Sequence, residues 1–458
     1  MRAAQPPRIV ILGAGFGGQH AARELAKLLH DVGDARIILA DRNNYLLFTP
    51  FLTEVVGGQL SVRDVVGAVR DLPTRVSFEQ GTIVAADLTS KRVTLLVGAE
   101  AEGLPEDTRT LEADHLVVAL GAATNFRGIE GLEGHSFTMS TTFDAVEAHH
   151  RAIALLERAS EEPDAATRRE LLTFVVGGGG FSGVETMAAL NGLLREAVER
   201  YPSLPKEEVR TILVHHGGRL LPELGARLAN YAQEQLERRG VEVILNTGIT
   251  GAGADHVQLS DGRRIGTREV VWTGGVAPNP LVEHLEARRG RHGGLAVDHS
   301  LAVPGHPGVW AIGDCAEIPV PGKPESYGPT AQNATREGVH VARNIVRVLN
   351  GEEPKPFRFR PMGELALVGK RSAVAEVFGL RFSGLLAWAM WRAVYLYKMP
   401  GAGKRVRVVV NWMLDAAFGA EVTDLRPVRP APSPSAASEA TPAPGDVLPG
   451  VGGDEHHA

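Results

Sequence analysis

Short apolar runs alternate with longer stretches of helical periodicity through the first three-quarters of the chain. Residues 9–12 (IVIL) run into a glycine turn, a helix-patterned stretch at about 19–29, and a second apolar run at 36–40. That order predicts a βαβ unit. Alternating short strands are expected over about 75–120, ending in the apolar run 115–120. A second βαβ unit is predicted from a strand at 172–176, a helix at about 184–200 and a strand at 209–214. Residues 308–312 read as another short strand and about 329–349 as a long helix.

Beyond Pro361 the pattern changes. Residues 385–397 are apolar almost all round, and the following segment carries a one-sided stripe. Val406, Val409, Val410, Met413, Leu414, Ala417 and Phe418 follow the i, i+3, i+4, i+7 rhythm, with Arg405 and Arg407 off it. Between Val377 and Leu414 there are six Lys or Arg, no Asp or Glu, and three of the five tryptophans (Trp388, Trp391 and Trp412). Basic charge with Trp and Tyr at an apolar boundary is the composition of a helix lying in a membrane interface. The same stripe is also what packs on the rest of a protein or on a second subunit, so a homodimer stays open. From about 427 the chain is rich in Pro, Ser, Ala and Gly, and a disordered tail is expected.

Composition narrows the classes. A chain of 458 residues exceeds what one core usually serves. A net charge of −6 argues against a nucleic-acid binder. The single cysteine, Cys315, allows neither an internal disulfide nor a two-cysteine redox centre, and it cannot ligate a metal cluster, so no metal is expected. MRAAQPPR leads directly into the first strand, so no signal peptide is expected. No apolar run of about 20 residues occurs, so the C-terminal helices are expected to lie on a membrane rather than span it.

The chemistry sits in the glycines. VILGAGFGG places Gly13, Gly15 and Gly18 in the G-x-G-x-x-G pattern between strand and helix, with Asp41 at the end of the next strand to meet ribose hydroxyls. FVVGGGGFSGVE repeats the pattern with Gly178, Gly180 and Gly183. One such site serves a dehydrogenase; two suggest a relay from a nicotinamide to a bound flavin. VWAIGDCAE places Gly313 and Asp314 after a short strand, where an aspartate can meet the ribityl or pyrophosphate region of the flavin. The second unit departs in one respect. His215 stands where an acid normally selects the NAD ribose, and Arg219 is near enough in sequence to meet a 2′-phosphate. The bland reading leaves both residues in a solvated loop; NADH is expected, with NADPH open.

With GAGFGG, DRNNYLLFTPFL, VVALGAATN, GGGGFSGVE, WTGGVAPNP, VWAIGDCAE, GPTAQNATREG and the region 363–425, the chain resembles type II NADH:quinone oxidoreductase, a two-dinucleotide flavoprotein. The resemblance spans nearly everything but the tail. It implies an FAD-dependent enzyme that oxidises NADH and reduces a membrane quinone from the cytoplasmic face; no proton pumping is expected, because no transmembrane helices are there to conduct it. It adds Arg42, Val84, Gly121 and Gly275 to the cofactor-binding residues. It makes Glu185 a proton-handling residue and Gln332 a quinone-end residue. The family's A-Q-x-A-x-Q here reads A-Q-N-A-T-R, so Arg336 joins Gln332 as a quinone-site candidate. Glu185 has a bland alternative, a first-turn glutamate favoured by the helix dipole alone. Sulfide:quinone chemistry lacks its cysteine pair. A soluble NAD(P)H-dependent reductase of ferredoxin or another small acceptor, and a nucleotide-binding sensor without turnover, are the rival readings.

The expected architecture is α/β. Residues 1–150 and 291–350 form a Rossmann-like FAD domain, interrupted by an NAD(P)H domain over 151–290. A membrane-association or dimerisation region over 351–426 and a tail over 427–458 follow.

Overall fold

The structure, a computed structural model, describes residues 6–30, 35–98 and 105–425; the tail expected from 427 lies outside them. The described residues up to 424 form one compact unit. Its first sheet has five parallel strands in the order Val309–Ala311, His115–Val118, Arg8–Leu12, Arg36–Asp41 and Val76–Gln80. A parallel strand covered on both faces needs a continuous apolar run, and Ile9, Val10, Ile11 and Leu12 are all fully buried. The second sheet has four parallel strands, Val241–Ile244, Arg210–Val214, Thr173–Gly177 and Glu269–Trp272. A ribbon of Ala122–Thr124 against Val276–Pro278 carries the chain between the two units.

Both fingerprint helices begin three residues earlier than the periodicity suggests. They run Phe16–Leu28 and Phe181–Ala197, because extended Gly15 and Gly180 are their N-caps. Helical geometry starts directly after the second glycine of each fingerprint, before the apolar rhythm becomes visible.

The end of the described chain holds an element the periodicity did not suggest. Gly363–Gly369, Ser372–Val377 and Leu380–Gly384 form an antiparallel sheet before the helices Leu385–Lys398 and Ala402–Phe418. This region is not appended to a finished fold. One apolar cluster joins Phe174 and Val176 of the second sheet, Met187 and Leu190 of its fingerprint helix, Ala366 and Val374 of the new sheet, and Trp391 and Trp412 of the last helices. Most of the stripe of the last helix faces away from that cluster, with Val409 packed against it. Val406, Met413 and Phe418 are exposed, whereas Val408 and Trp412 point inward. Packing of the stripe on its own chain is thus limited to Val409. No helix among the described residues is long and apolar enough to cross a membrane.

Candidate functional site

The first fingerprint is built by close approach. Gly13 has φ +103°, outside the range of most L-residues, and a Cβ at Gly18 would overlap the Gly13 carbonyl oxygen. A Cβ at Gly15 would meet nothing within 4 Å, and no side chain caps the Phe16–Leu28 helix. Its first-turn N–H groups therefore face open space, an arrangement that suits an anionic phosphate. Asp41 borders the same turn: its carboxylate accepts from the Ala14 N–H (2.6 Å) and the Asn43 N–H (2.7 Å), and burial raises its pKa. Arg42, next in the chain, is exposed. Val84 lies at the register irregularity of the Thr82–Asp87 strand and is partly exposed. Gly121 accepts from the Asn279 N–H (3.0 Å) where the two units connect.

Gly313 and Asp314 border a cavity of about 260 Å³ together with Asn333 and Glu337. The Gly313 N–H donates to Glu337 (2.7 Å), and burial pushes the Glu337 pKa up to about 7. Asn333 Oδ1 is buried with no hydrogen-bond partner. An uncapped helix, a glycine cradle and this orphaned oxygen fit a flavin dinucleotide. Glu337 escaped sequence reading, although an acid on the apolar face of Ala334, Gly338 and Val341 is a visible signal.

The second fingerprint repeats the geometry. A Cβ at Gly183 would overlap the Gly178 oxygen, and one at Gly180 would meet open space. Gly275 has φ +140° and accepts from the Asn125 N–H (3.1 Å). His215 is no solvated loop residue. It is buried, its Nδ1 accepts from the Gly179 N–H (3.1 Å), and burial lowers its pKa, so the neutral ring is part of the turn. Arg219 is exposed and bonds the Pro222 carbonyl (2.7 Å).

Glu185 is the fifth residue of its helix, so the first-turn dipole explanation does not apply. Its Oε1 instead accepts from the Leu367 N–H (2.9 Å) and the Trp391 indole N–H (2.9 Å), both from the C-terminal region. The side chain is half-buried and borders a cavity, and desolvation raises its pKa to about 8. Gln332 holds the other end of the strand to which Leu367 belongs. Its Nε2 donates to the Gly363 carbonyl (3.4 Å) and its Oε1 accepts from the Met362 N–H (2.9 Å). Glu185 and Gln332 are thus joined through a single strand, roughly 13 Å apart along it. Arg336 is exposed over the Phe359 ring at 5.7 Å.

A second buried carboxyl was missed. Glu54, in the short helix Leu52–Val56, accepts from the Trp412 indole (2.7 Å) and lies 3.5 Å from Arg392. Burial raises its pKa to about 7. A lone acid in the apolar run FTPFLTEVV was the available signal. The Tyr395 ring lies against Trp391 with centroids 4.7 Å apart and planes tilted by 57°, and burial, then the negative charge of Glu185, raises its pKa.

Residues 7–338 match the pyridine nucleotide-disulphide oxidoreductase family, and residues 362–421 match the NDH2 C-terminal domain. The type II NADH:quinone oxidoreductase NdhA of Mycobacterium tuberculosis is 32% identical over 88% of this chain and 86% of its own. The type II NADH:quinone oxidoreductase of Staphylococcus aureus is 29% identical over 86% of this chain and 96% of its own. In fold, the chain resembles NDH2 of Plasmodium falciparum in complex with NADH (TM-score 0.82, 18% identity), over 92% of this chain and all of that one.

Proposed function

The chain belongs to the type II NADH:quinone oxidoreductase family, and from that membership we propose that it binds FAD and NADH and reduces a quinone without pumping protons. The observation that carries this reading is Glu185. It lies on the second fingerprint helix, yet the C-terminal region holds its carboxyl, so a nucleotide site and the family's own module meet at one acid.

Gly13, Gly15, Gly18 and Asp41 would hold the FAD pyrophosphate and ribose, with Arg42, Val84, Gly121, Gly313 and Asp314 lining the remainder. Bound there, the flavin supplies the two-electron step between NADH and quinone. Gly178, Gly180, Gly183 and Gly275 would receive NADH. Because burial keeps Glu185 protonated at neutral pH, it can give a proton to a quinone oxygen. Gln332, oriented from both sides of its amide, and Arg336, a cation, are assigned to the quinone end. The exposed apolar face of the last helix, flanked by Arg405 and Arg407, is assigned to the cytoplasmic surface of the membrane, where a lipid-soluble quinone is reached. A homodimer through that face is the competing outcome.

Anaerobic stopped-flow tests the reading. NADH should bleach the bound flavin, and a short-chain quinone should restore it. NADPH should also bleach it, more slowly, because no carboxylate stands at His215 to repel a 2′-phosphate. If neither coenzyme bleaches the flavin, the reading fails. Reoxidation by ferredoxin but not by quinone would favour a soluble reductase instead.

A further inference from the structure

A cavity of about 150 Å³ lies beneath the last two helices, lined by the Leu52–Val56 and Phe181–Ala197 helices and the turn at Gly369–Arg371. Glu185 is among its lining residues. Lys370, Arg371 and Glu196 line it too, and the Lys370 side chain is 55% exposed, so the cavity borders solvent there. Four cavity-lining residues carry buried polar atoms with no hydrogen-bond partner: Thr53 Oγ1, Glu54 Oε1, Arg392 Nε and Asp415 Oδ1. Unmet donors and acceptors are costly in a folded protein, and their gathering around one space points to what fills it. Two acceptors, a donor and a hydroxyl match water, and the volume holds on the order of ten molecules.

We propose that this cavity is a water-filled proton-uptake passage in which Glu54 carries protons from the surface near Lys370 to Glu185. The inference rests on the function proposed above and deepens it. NADH, one proton and a quinone give NAD⁺ and a quinol, so each turnover draws one proton from solution. Glu185 loses its O–H bond to the quinone oxygen, Glu54 re-protonates it, and cavity water re-protonates Glu54. No further oxidant or reductant enters.

The surroundings suit the task. Arg392 lies between the Trp388 and Trp412 rings at 4.5 and 4.2 Å and faces Glu54, so it cannot swing away easily. Asp415 and Glu185 also act on Glu54, with Glu196 and Lys370 at the mouth. On its other side, His149 of the Thr142–Glu161 helix bonds the Val56 carbonyl (3.0 Å). Burial brings both carboxyls to similar proton affinity near neutral pH, so a proton passes between them without a large uphill step.

The test uses the full-length holoprotein and two variants. Glu54→Gln keeps shape and an acceptor for Trp412. Ala189→Leu narrows the cavity without removing an acid. Three readouts apply: flavin bleaching by NADH, reoxidation by a short-chain quinone in H₂O and D₂O, and proton uptake reported by an indicator dye. We expect bleaching within about twofold of wild type in both variants. In Glu54→Gln, reoxidation and proton uptake should slow together by about tenfold or more, with a larger solvent isotope effect and partial rescue by small weak acids. Infrared titration should show a protonated-carboxyl band, absent in Glu54→Gln, that disappears as pH rises through about 7. Wild-type reoxidation and isotope effect in Glu54→Gln would overturn the passage, as would slowing without an isotope effect or rescue. Failure of NADH to bleach the wild-type flavin would strike the functional reading instead, so the two failures are distinct.

Discussion

Burying a carboxyl strips the ionised form of its hydration, and the protein must either pair the charge or hold the proton. Glu185 receives two hydrogen bonds and still titrates near 8, so desolvation outweighs them. The consequence for stability has a definite sign. Glu185 and Glu54 have folded pKa values raised from 4.5 to about 8 and about 7, so the folded state binds protons that the unfolded chain releases. Their contribution is complete below pH 4.5 and is lost as pH rises through 7 and 8. Thermal melts should therefore fall between pH 6 and pH 9, and Glu54→Gln with Glu185→Gln should flatten that slope by at least about 2–4 °C. An unchanged slope would contradict the burial argument. In turnover, Glu185→Gln should keep the fold and flavin but lower quinone reduction by about 10²-fold or more. Glu185→Ala should also cost stability, since it orphans the Leu367 N–H and the Trp391 indole at about 1–3 kcal/mol each.

The last helix shows how an element can be divided between two environments. Trp412 and Val408 anchor it in the core, and Lys404 bonds the Val66 carbonyl, while Phe418 at 80% exposure and Met413 at 64% face outward. Side chains this apolar gain nothing from water, and the outward face is where lipid would meet them. Met413→Glu with Phe418→Glu should reduce co-sedimentation with anionic vesicles by about tenfold or more while leaving the melting temperature within a degree or so. Retained binding would remove the membrane role from this helix. Deleting the region is a poorer experiment, because Trp391 and Trp412 would leave the core and both buried carboxyls would lose a donor. Legibility differed within this one element. The stripe was visible in sequence, but its direction was not, since periodicity defines a face without saying what it meets.

At the scale of the whole molecule, the two fingerprints are equivalent in geometry but belong to different cores, one around the first sheet and one shared with the C-terminal region. They should fail separately. Gly18→Ala forces a methyl onto the Gly13 carbonyl and should yield a colourless protein. Gly183→Ala makes the equivalent clash at Gly178 and should yield a protein that keeps its flavin absorbance but is bleached by NADH at least about tenfold more slowly. Colour lost from both variants would show that the two sites do not fold independently.

Local rules were enough for the two strand–glycine–helix units, because a tight turn, a close helix approach and a buried parallel strand each demand particular residue types at fixed short spacing. The same locality carried Asp41, Gly313 and Asp314 into the candidate flavin site, whereas Glu185 entered the candidate proton site only through the family resemblance. What tertiary structure alone decided lies in pairs far apart in the chain. Glu185 meets Trp391, Glu54 meets Trp412, and Gln332 meets the strand beginning at Gly363. His215 reads in sequence as a missing acid and proves in the fold to be a buried acceptor. Burial and partners, which set whether a carboxyl keeps its proton, depend on how separated segments pack, and no periodicity along the chain encodes them.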